Sequence, residues 1–280
     1  FPLRSHNPFL QIFGLPSFRT HELVAADGIN FEIGYDVAND DDDADRRGEF
    51  LLIDTETETI NLSLRRRFGE RFEFGLEIPY VSHSGGYLDN LIYNFHDIIG
   101  ISNSQREGPN GEFRLLFEKE GITQIDLSSP ASGIGDVRVT GAMQLGKVTL
   151  RGGIKAPTGK ARQLTGSGAV DVSLGVHAGG KTTLFERDLA YSGFLGMLAL
   201  GDGDIMPDLQ RSAVPYGGFA LRWRATPRLS LATQLYAQGS YFDVNLDEVG
   251  GSPFQLAFGG DYVFPRQRLL LRVAIAEDIA

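Results

Sequence analysis

The 280-residue sequence contains no cysteine, an excess of acidic over basic residues, and no long hydrophobic run. The absence of cysteine excludes a disulfide scaffold and thiol chemistry. The formal net charge of −10 argues against a nucleic-acid partner, which would require a basic surface. No stretch of about 18 apolar residues occurs, so helical membrane spans are excluded. A membrane-spanning β-strand needs only about 9–11 residues of alternating character, and the composition permits it.

Alternation of apolar and polar residues is the main pattern in the chain. In residues 135–159, GDVRVTGAMQLGKVTLRGGIKAPTG, apolar side chains such as Val137 and Val139 alternate with Arg138 and Thr140 on both sides of a short turn. This pattern predicts a hairpin with one apolar and one polar face. The same pattern predicts eleven strands, at about 22–37, 50–66, 71–82, 135–145, 147–156, 168–179, 188–200, 213–225, 228–241, 253–264 and 267–277.

The connections between these strands alternate between tight turns and longer polar links, which include 38–48 and 157–167. Outer-membrane barrels have short periplasmic turns and long outer loops. We therefore expect an all-β transmembrane antiparallel β-barrel of the bacterial outer membrane, of about twelve strands when complete, in contact with the lipid bilayer and lipopolysaccharide. A soluble lipocalin-like or sandwich fold is the alternative. Aromatic residues near the strand ends resemble interfacial girdles: Phe68, Phe72, Trp223 and Phe264 near tight turns, and Tyr35, Tyr80 and Tyr241 near long loops.

Eleven strands conflict with the even number of strands that bacterial single-chain barrels have. We expect the segments 22–37 and 267–277 not to be fully hydrogen-bonded to each other. Either the chain lacks its closing strand, or a strand borrowed from a partner or from the N-terminal segment fills the gap.

Two regions fall outside the barrel pattern. Residues 1–19 contain three prolines and no clean period, and are expected to plug the lumen or to lie across the periplasmic opening. Residues 20–280 form the predicted barrel, with an outer-loop insertion at 83–133. Within it, 112–129 predicts a small hairpin, and 86–99 predicts an amphipathic helix that either packs on the loop or acts as a gate. The apolar side of the helix is formed by Leu88, Leu91, Ile92, Phe95 and Ile98.

The polar face of the predicted strands carries charges of both signs. The acidic and basic walls are expected either to create a transverse field in a narrow pore or to pair across the lumen and close it. The predicted lumen charges are Glu32, Asp36, Glu73, Glu77, Arg138, Arg151, Lys155, Arg222, Arg224, Arg268 and Arg272.

Other chemistry finds little support in the sequence. The five histidines lack metal-ligand spacing, and His83-Ser84 lacks the remaining motif of outer-membrane phospholipases, so we expect no enzyme and no cofactor. The acidic run NDDDDAD at 39–45 lacks the spaced glycine and distal glutamate of a calcium loop. It is expected to be a solvated outer loop, with Asp40 and Asp42 as weak candidates for loose capture of divalent cations.

Three short motifs carry a family resemblance: the opening PLR…NP…GLPS, the Gly-Gly…Asn94-Phe95-His96-Asp97 segment, and Gly133-Ile134-Gly135-Asp136-Val137. Together they resemble a family of bacterial outer-membrane proteins known only as a domain of unknown function, over the whole chain. The resemblance implies an outer-membrane location in a Gram-negative bacterium and no known activity.

Two functions are compatible with these features. The first is a narrow gated conduit for small or hydrophobic solutes, with the N-terminal segment and the long loop as plug and lid. The second is a non-transporting structural or assembly subunit that docks other envelope proteins.

Overall fold

The computed structural model describes residues 1, 2, 5, 7–26, 28–86 and 113–279. This part of the chain is nearly all β-structure, and every strand pairing is antiparallel. The all-β prediction is therefore confirmed. The strands are β1 (Ile29–Arg46), β2 (Glu49–Phe68), β3 (Phe72–Ser84), β4 (Arg114–Lys119), β5 (Ile122–Leu127), β6 (Ala131–Ile134), β7 (Arg138–Leu145), β8 (Val148–Lys155), β9 (Asp171–Leu184), β10 (Arg187–Ala199), β11 (Ala213–Arg224), β12 (Leu229–Gln238), β13 (Phe254–Phe264) and β14 (Leu269–Asp278).

The strands form one sheet in which sequence neighbours pair from β7 to β14. β6 and β7 pair with successive parts of β3, so together they occupy one position in the sheet. The hairpin of β4 and β5 extends the sheet beyond the end of β3, along the upper part of β2. The predicted small hairpin at 112–129 is thereby confirmed.

The acidic run is a strand rather than the predicted outer loop. β1 continues to Arg46, and the residues from Ala38 onward pair with β2 up to a tight turn at Arg47-Gly48. Both turn residues have positive φ, 53° and 81°, as a two-residue hairpin turn requires. Aspartates on both faces of β1 remove the alternation that would have revealed this strand. Residues 22–26 and 28, which were predicted to begin the strand, precede β1 and form no strand.

The apolar face of the sheet points outward. Ile33 on β1 is 65% exposed, and Leu195 on β10 is 75% exposed. The opposite face is polar and buried, as Thr57, Thr149 and Asp171 show. A soluble protein buries its apolar face, whereas a membrane barrel turns it toward lipid.

A hydrophobic core lies at the end of the sheet that carries the long connections. Here the N-terminal segment packs against the upper part of β2, the β4–β5 hairpin and the connection between β12 and β13. We call this cluster the outer-mouth core, and its main members are Phe9, Ile12, Phe13, Leu51, Ile53, Leu115, Phe117, Tyr241, Phe242, Leu246 and Val249. Tyr241 was predicted as an interfacial aromatic, but it is only 1% exposed because it packs inside this core.

Helical structure is sparse in the described part. It consists of a single 3₁₀ turn at Ala161–Gln163 and the short helix α1 (Asp247–Gly250). No helix in the described ranges has the length and apolar character needed to cross a membrane. The predicted helix over 86–99 lies outside the described residues, apart from Gly86.

The two edge strands of the barrel wall, β1 and β14, run in the same direction. They are the first and last of eleven successive antiparallel positions, and no ladder joins them in the described residues. This agrees with the expectation from strand parity that the two segments are not fully hydrogen-bonded to each other.

Candidate functional site

Within the N-terminal segment, of which residues 1, 2, 5 and 7–26 are described, residues 7–19 lie inside the curved sheet. The side chains of Phe9, Ile12 and Phe13 are at most 2% exposed. Along its length the segment touches strands from both edges of the sheet: Arg19 contacts Glu32 on β1, and the Phe1 ring lies against Arg272 on β14. The sheet therefore curls around the segment, which occupies the space that would otherwise be the lumen.

Side chains of the wall hold the backbone of the segment. Arg138 donates to the carbonyl of Phe13 at 3.1 Å, and Tyr236 donates to that of Pro16 at 3.0 Å. Arg151 donates to the carbonyl of Thr20 at 3.2 Å. The segment takes part in no β-ladder of the described chain. Its backbone groups are therefore satisfied by turn hydrogen bonds within residues 7–13 and by polar side chains of the barrel strands.

A buried ion-pair cluster anchors the middle of the segment. Nζ of Lys155 lies 2.6 Å from the carboxylate of Asp136 and 3.1 Å from that of Asp171, and all three side chains are at most 1% exposed. Lys155 also donates to the carbonyl of Ile12 at 3.1 Å, and Asp171 accepts from the amide of Gly14 at 2.8 Å. The cluster thus binds one carbonyl and one amide of the segment at neighbouring positions.

A second ion-pair group lies nearer the short-turn end. Arg19 bridges Glu32 and Glu77, each at 3.2 Å. Glu73 accepts from Arg65 at 3.3 Å, from Arg151 at 2.9 Å and from the amide of Val24 at 2.6 Å. The acidic wall of β1 and β3 is therefore neutralised by the basic residues of β2 and β8 and by the segment itself. Charges that pair in this way fill and close a lumen. They do not produce an electric field across a water-filled pore.

The remaining predicted lumen charges lie in four different surroundings. Arg222 and Arg272 both pair with Asp261 at 2.7 Å, close to the open side of the sheet. Arg224 pairs with Asp188 at 2.8 Å, but both side chains are largely exposed at the short-turn end. Arg268 lies in the turn before β14 and is exposed, so it does not face the interior. Asp36 is half-buried on β1, opposite Thr59.

A small cavity lies beside the segment. It has a volume of about 40 Å³ and is lined by Arg19, Arg65, Arg151, Ser173, His177 and Tyr216, among others. A water molecule needs roughly 10–15 Å³, so this cavity holds about three waters and no solute.

Aromatic rings pack against the segment at two positions, Phe13 and Phe18. Phe13 stacks on Tyr241 with ring centroids 4.6 Å apart and planes 7° apart. Phe18 packs edge-on against Phe194 at 5.0 Å, and Phe194 stacks in turn on His177. These contacts bury large apolar areas in an interior that is otherwise polar.

A buried carboxylate joins three parts of the outer mouth. Glu49, the first residue of β2, accepts from Lys119 of β4 at 2.9 Å and from the amide of Asn245 at 2.6 Å. Burial disfavours its charge, but the hydrogen bonds from Lys119 and Asn245 outweigh that effect and hold the pKa of Glu49 below its usual value. Glu49 therefore stays ionised and holds the β4–β5 hairpin to the β12–β13 connection.

Asp40, in the acidic run, has a shifted pKa. The apolar outer face of β1 ends at Tyr35, and Asp40 lies beyond it. Burial, together with the nearby carboxylates of Asp42 and Asp278, raises the pKa of Asp40 to about 7. Among the described residues, no group of three or more potential His, Asp or Glu ligands has an arrangement suited to a metal ion.

The histidines of the interior take part in packing. His83 is fully buried and contacts Thr57 at 3.0 Å and the carbonyl of Leu164 at 3.2 Å. The neighbouring Ser84 hydroxyl accepts from the amide of Gly86 at 3.2 Å. The two side chains of the His83-Ser84 pair are thus engaged with different partners.

Five residues of the interior ion pairs were not identified as lumen charges from the sequence: Arg19, Arg65, Asp136, Asp171 and Asp261. Arg65 lies on the polar face of a predicted strand. Asp171 and Asp261 do lie on the polar face of predicted strands, so alternation alone would have found them. Asp136 precedes β7, and Arg19 belongs to a segment without a period. Only the fold places these two opposite their partners.

An antiparallel sheet with an apolar outer face and an ion-paired interior is the architecture of β-barrel membrane proteins. The whole chain, residues 1–280, matches the family described as a protein of unknown function, DUF3187. The chain therefore belongs to that family, which confirms the resemblance drawn from the sequence. No curated protein matches it. Among solved structures, the COG4313 outer membrane channel from Pseudomonas putida F1 is similar, with 16% identity, a TM-score of 0.49, and coverage of 88% of this chain and 86% of that chain.

Proposed function

We propose that this protein is a barrel of the bacterial outer membrane, closed by its own N-terminal segment, which admits small solutes when the segment withdraws. The outward apolar face of the sheet supports the membrane location, because such a face is stable in lipid and costly in water. The membrane partners that this location implies are phospholipid and lipopolysaccharide.

One observation supports the function as a conduit. Side chains of the wall bind the segment, and no β-ladder of the described chain includes it. Arg138, Lys155 and Tyr236 bind its carbonyls one at a time, and these hydrogen bonds can be exchanged for water without unzipping the wall. The strands of the wall keep their own ladders throughout.

The wall behind the segment favours small polar solutes over hydrophobic ones. With the segment withdrawn, Glu73, Glu77, Arg138 and Arg151 would line the exposed passage. Paired charges of both signs suit solutes that carry hydrogen-bonding groups.

A disulfide between segment and wall tests this proposal. A Cβ added at Gly14 would lie 2.8 Å from the Cβ of Asp171, so a shift below about 1 Å reaches disulfide geometry. The chain has no other cysteine, so Gly14→Cys with Asp171→Cys gives a single defined bond. In planar bilayers we expect the oxidised double variant to be silent and the reduced form to conduct. The two single variants, with and without reductant, are the matched controls.

A non-transporting subunit is the second candidate, and the ion-paired interior favours it. If neither the reduced double variant nor the wild type conducts, the plug is a permanent part of the barrel and the conduit is refuted. A pull-down from solubilised membranes that recovers a second envelope protein would then support this candidate.

We also propose that the protein is not an enzyme. His83 and His177 are occupied by packing and by hydrogen bonds to backbone or threonine oxygens. A hydrolytic activity of the purified protein on phospholipid would contradict this.

A further inference from the structure

The two ends of the sheet differ in charge. The end with the tight turns is rich in exposed basic side chains, with only a few acidic ones among them. The acidic residues of the described chain are concentrated at the other end, in the outer part of β1 and in the long connections. The exposed bases of the short-turn end are Arg66, Arg71, Lys147, Lys181, Arg187, Arg224, Arg228, Arg266 and Arg268, against the acids Glu22, Glu70, Glu186 and Asp188.

An apolar crevice opens on the outer face at this same end. Its volume is about 360 Å³, and it is lined by Leu184, Phe185, Leu189, Trp223, Leu231 and Phe258, among others. Volumes of this order are typical of small-molecule sites. The crevice lies on the face that the proposed barrel turns toward lipid.

Backbone geometry shapes the crevice. Phe185 and Glu186 form the β9–β10 turn with φ of 51° and 60°, and Phe185 is 80% exposed at its tip. The indole of Trp223 donates to the carbonyl of Leu184 at 3.1 Å, which ties the turn to β11. On the far side, Leu231 pairs with Gly260, which has no side chain to fill the outer face.

We propose that this crevice binds an anionic phospholipid, with an acyl chain against Trp223 and Phe258 and the phosphate at the arginines of the rim. Arg187 follows the turn that carries Phe185, and Arg228 lies in the turn between β11 and β12. Arg224 follows Trp223 on the opposite face of β11, where it pairs with Asp188. The site rests on the proposed membrane location and adds a lipid preference to it.

Charge complementarity identifies the lipid class. Basic residues next to a bilayer attract anionic headgroups, and each contributes about fivefold in affinity. An arrangement of the same kind recurs on β2, where the guanidinium of Arg66 lies 5.1 Å from the ring centre of Phe68 on the outer face. A cation beside an outward aromatic ring is suited to the level of the headgroups. A protein partner would not need the apolar crevice directly beneath the arginines.

The single tryptophan of the chain makes the test specific to this site. The protein is reconstituted in phosphatidylcholine vesicles that contain a fraction of either dibrominated phosphatidylglycerol or dibrominated phosphatidylcholine, and quenching of Trp223 is measured. We expect the brominated phosphatidylglycerol to bind about fivefold or more tightly at the crevice, and the preference to fall as salt is raised.

In Arg187→Gln with Arg228→Gln, the ratio of phosphatidylglycerol to phosphatidylcholine binding at the crevice should fall close to one. The matched control is Arg66→Gln with Arg71→Gln, which removes the same charge from the same end, several strands away. That variant should keep the wild-type preference.

Each contrary result has a distinct meaning. Equal quenching by both brominated lipids would overturn the lipid site while the membrane location stands. Absence of quenching by either lipid would overturn both. A preference that survives in Arg187→Gln with Arg228→Gln, or that is lost equally in the control, would show that the rim arginines of the crevice do not select the lipid.

Discussion

The guanidinium of Arg19 on the N-terminal segment lies 3.2 Å from the carboxylate of Glu77 on β3, and both side chains are nearly buried. This pair joins a segment without regular structure to a wall of regular strands. Breaking one partner of a buried pair leaves the other charge without compensation, which costs about 3–5 kcal/mol. The segment is therefore held by interactions whose loss can be measured.

Removing the acidic side of this network should destabilise the protein. In Glu73→Gln with Glu77→Gln, the guanidinium groups of Arg19, Arg65 and Arg151 lose their main partners, and we expect a clear fall in the thermal midpoint in detergent, from a loss of about 3–5 kcal/mol. Asp188→Asn, which breaks only the exposed pair with Arg224, should change the midpoint little. Unchanged stability with altered ion selectivity would instead favour an open pore.

Lys155→Met should release the middle of the segment. Asp136 and Asp171 would then be buried with no cation between them, and the carbonyl of Ile12 would lose its donor. We expect a loss of about 3–5 kcal/mol in unfolding free energy and a rise in bilayer conductance. Adding Asp136→Asn and Asp171→Asn should recover part of the stability. A variant as stable and as silent as the wild type would show that the cluster does not hold the segment.

Asp40 should make the outer part of β1 less stable as pH rises. Its pKa is raised to about 7 in the folded protein, so the unfolded chain ionises first. The resulting destabilisation is absent below about pH 4, grows between about pH 4 and 7, and is complete above, with an upper bound of about 4 kcal/mol. Asp40→Asn should flatten this dependence and raise the thermal midpoint at pH 8. An identical pH profile in wild type and variant would contradict the assignment.

The effect of Glu49 on stability should have the opposite pH dependence to that of Asp40. Its pKa is lowered in the folded state, so its stabilising effect is present above the ordinary glutamate range and is lost as the pH falls through the folded pKa. We expect Glu49→Gln to make the β4–β5 hairpin sensitive to protease at neutral pH, while the wild type becomes sensitive only in acid. Glu118→Gln on the same hairpin, whose carboxylate contacts only Thr123 among the described side-chain contacts, is the control.

The strands of the barrel were predictable because alternation is a local property. In β8 and β9 the polarity of each residue indicates which face of the sheet it lies on. The burial of Thr149 and Asp171 on the polar face agrees with this pattern. Alternation gives no strand signal where both faces are polar, as in the outer part of β1. It also failed to separate Arg268, in a turn, from arginines that face the interior.

The sequence by itself determined the apolar outer face, the order of the strands and the polar character of the interior, since these follow from side-chain period and turn spacing. Only the tertiary structure decided that the interior is filled. Whether Arg19 meets Glu77, or Lys155 meets Asp136 and the carbonyl of Ile12, depends on how the sheet curves and where an aperiodic segment runs through it. A segment with no period carries no local record of its partners, because its position is set by long-range contacts with the wall that surrounds it.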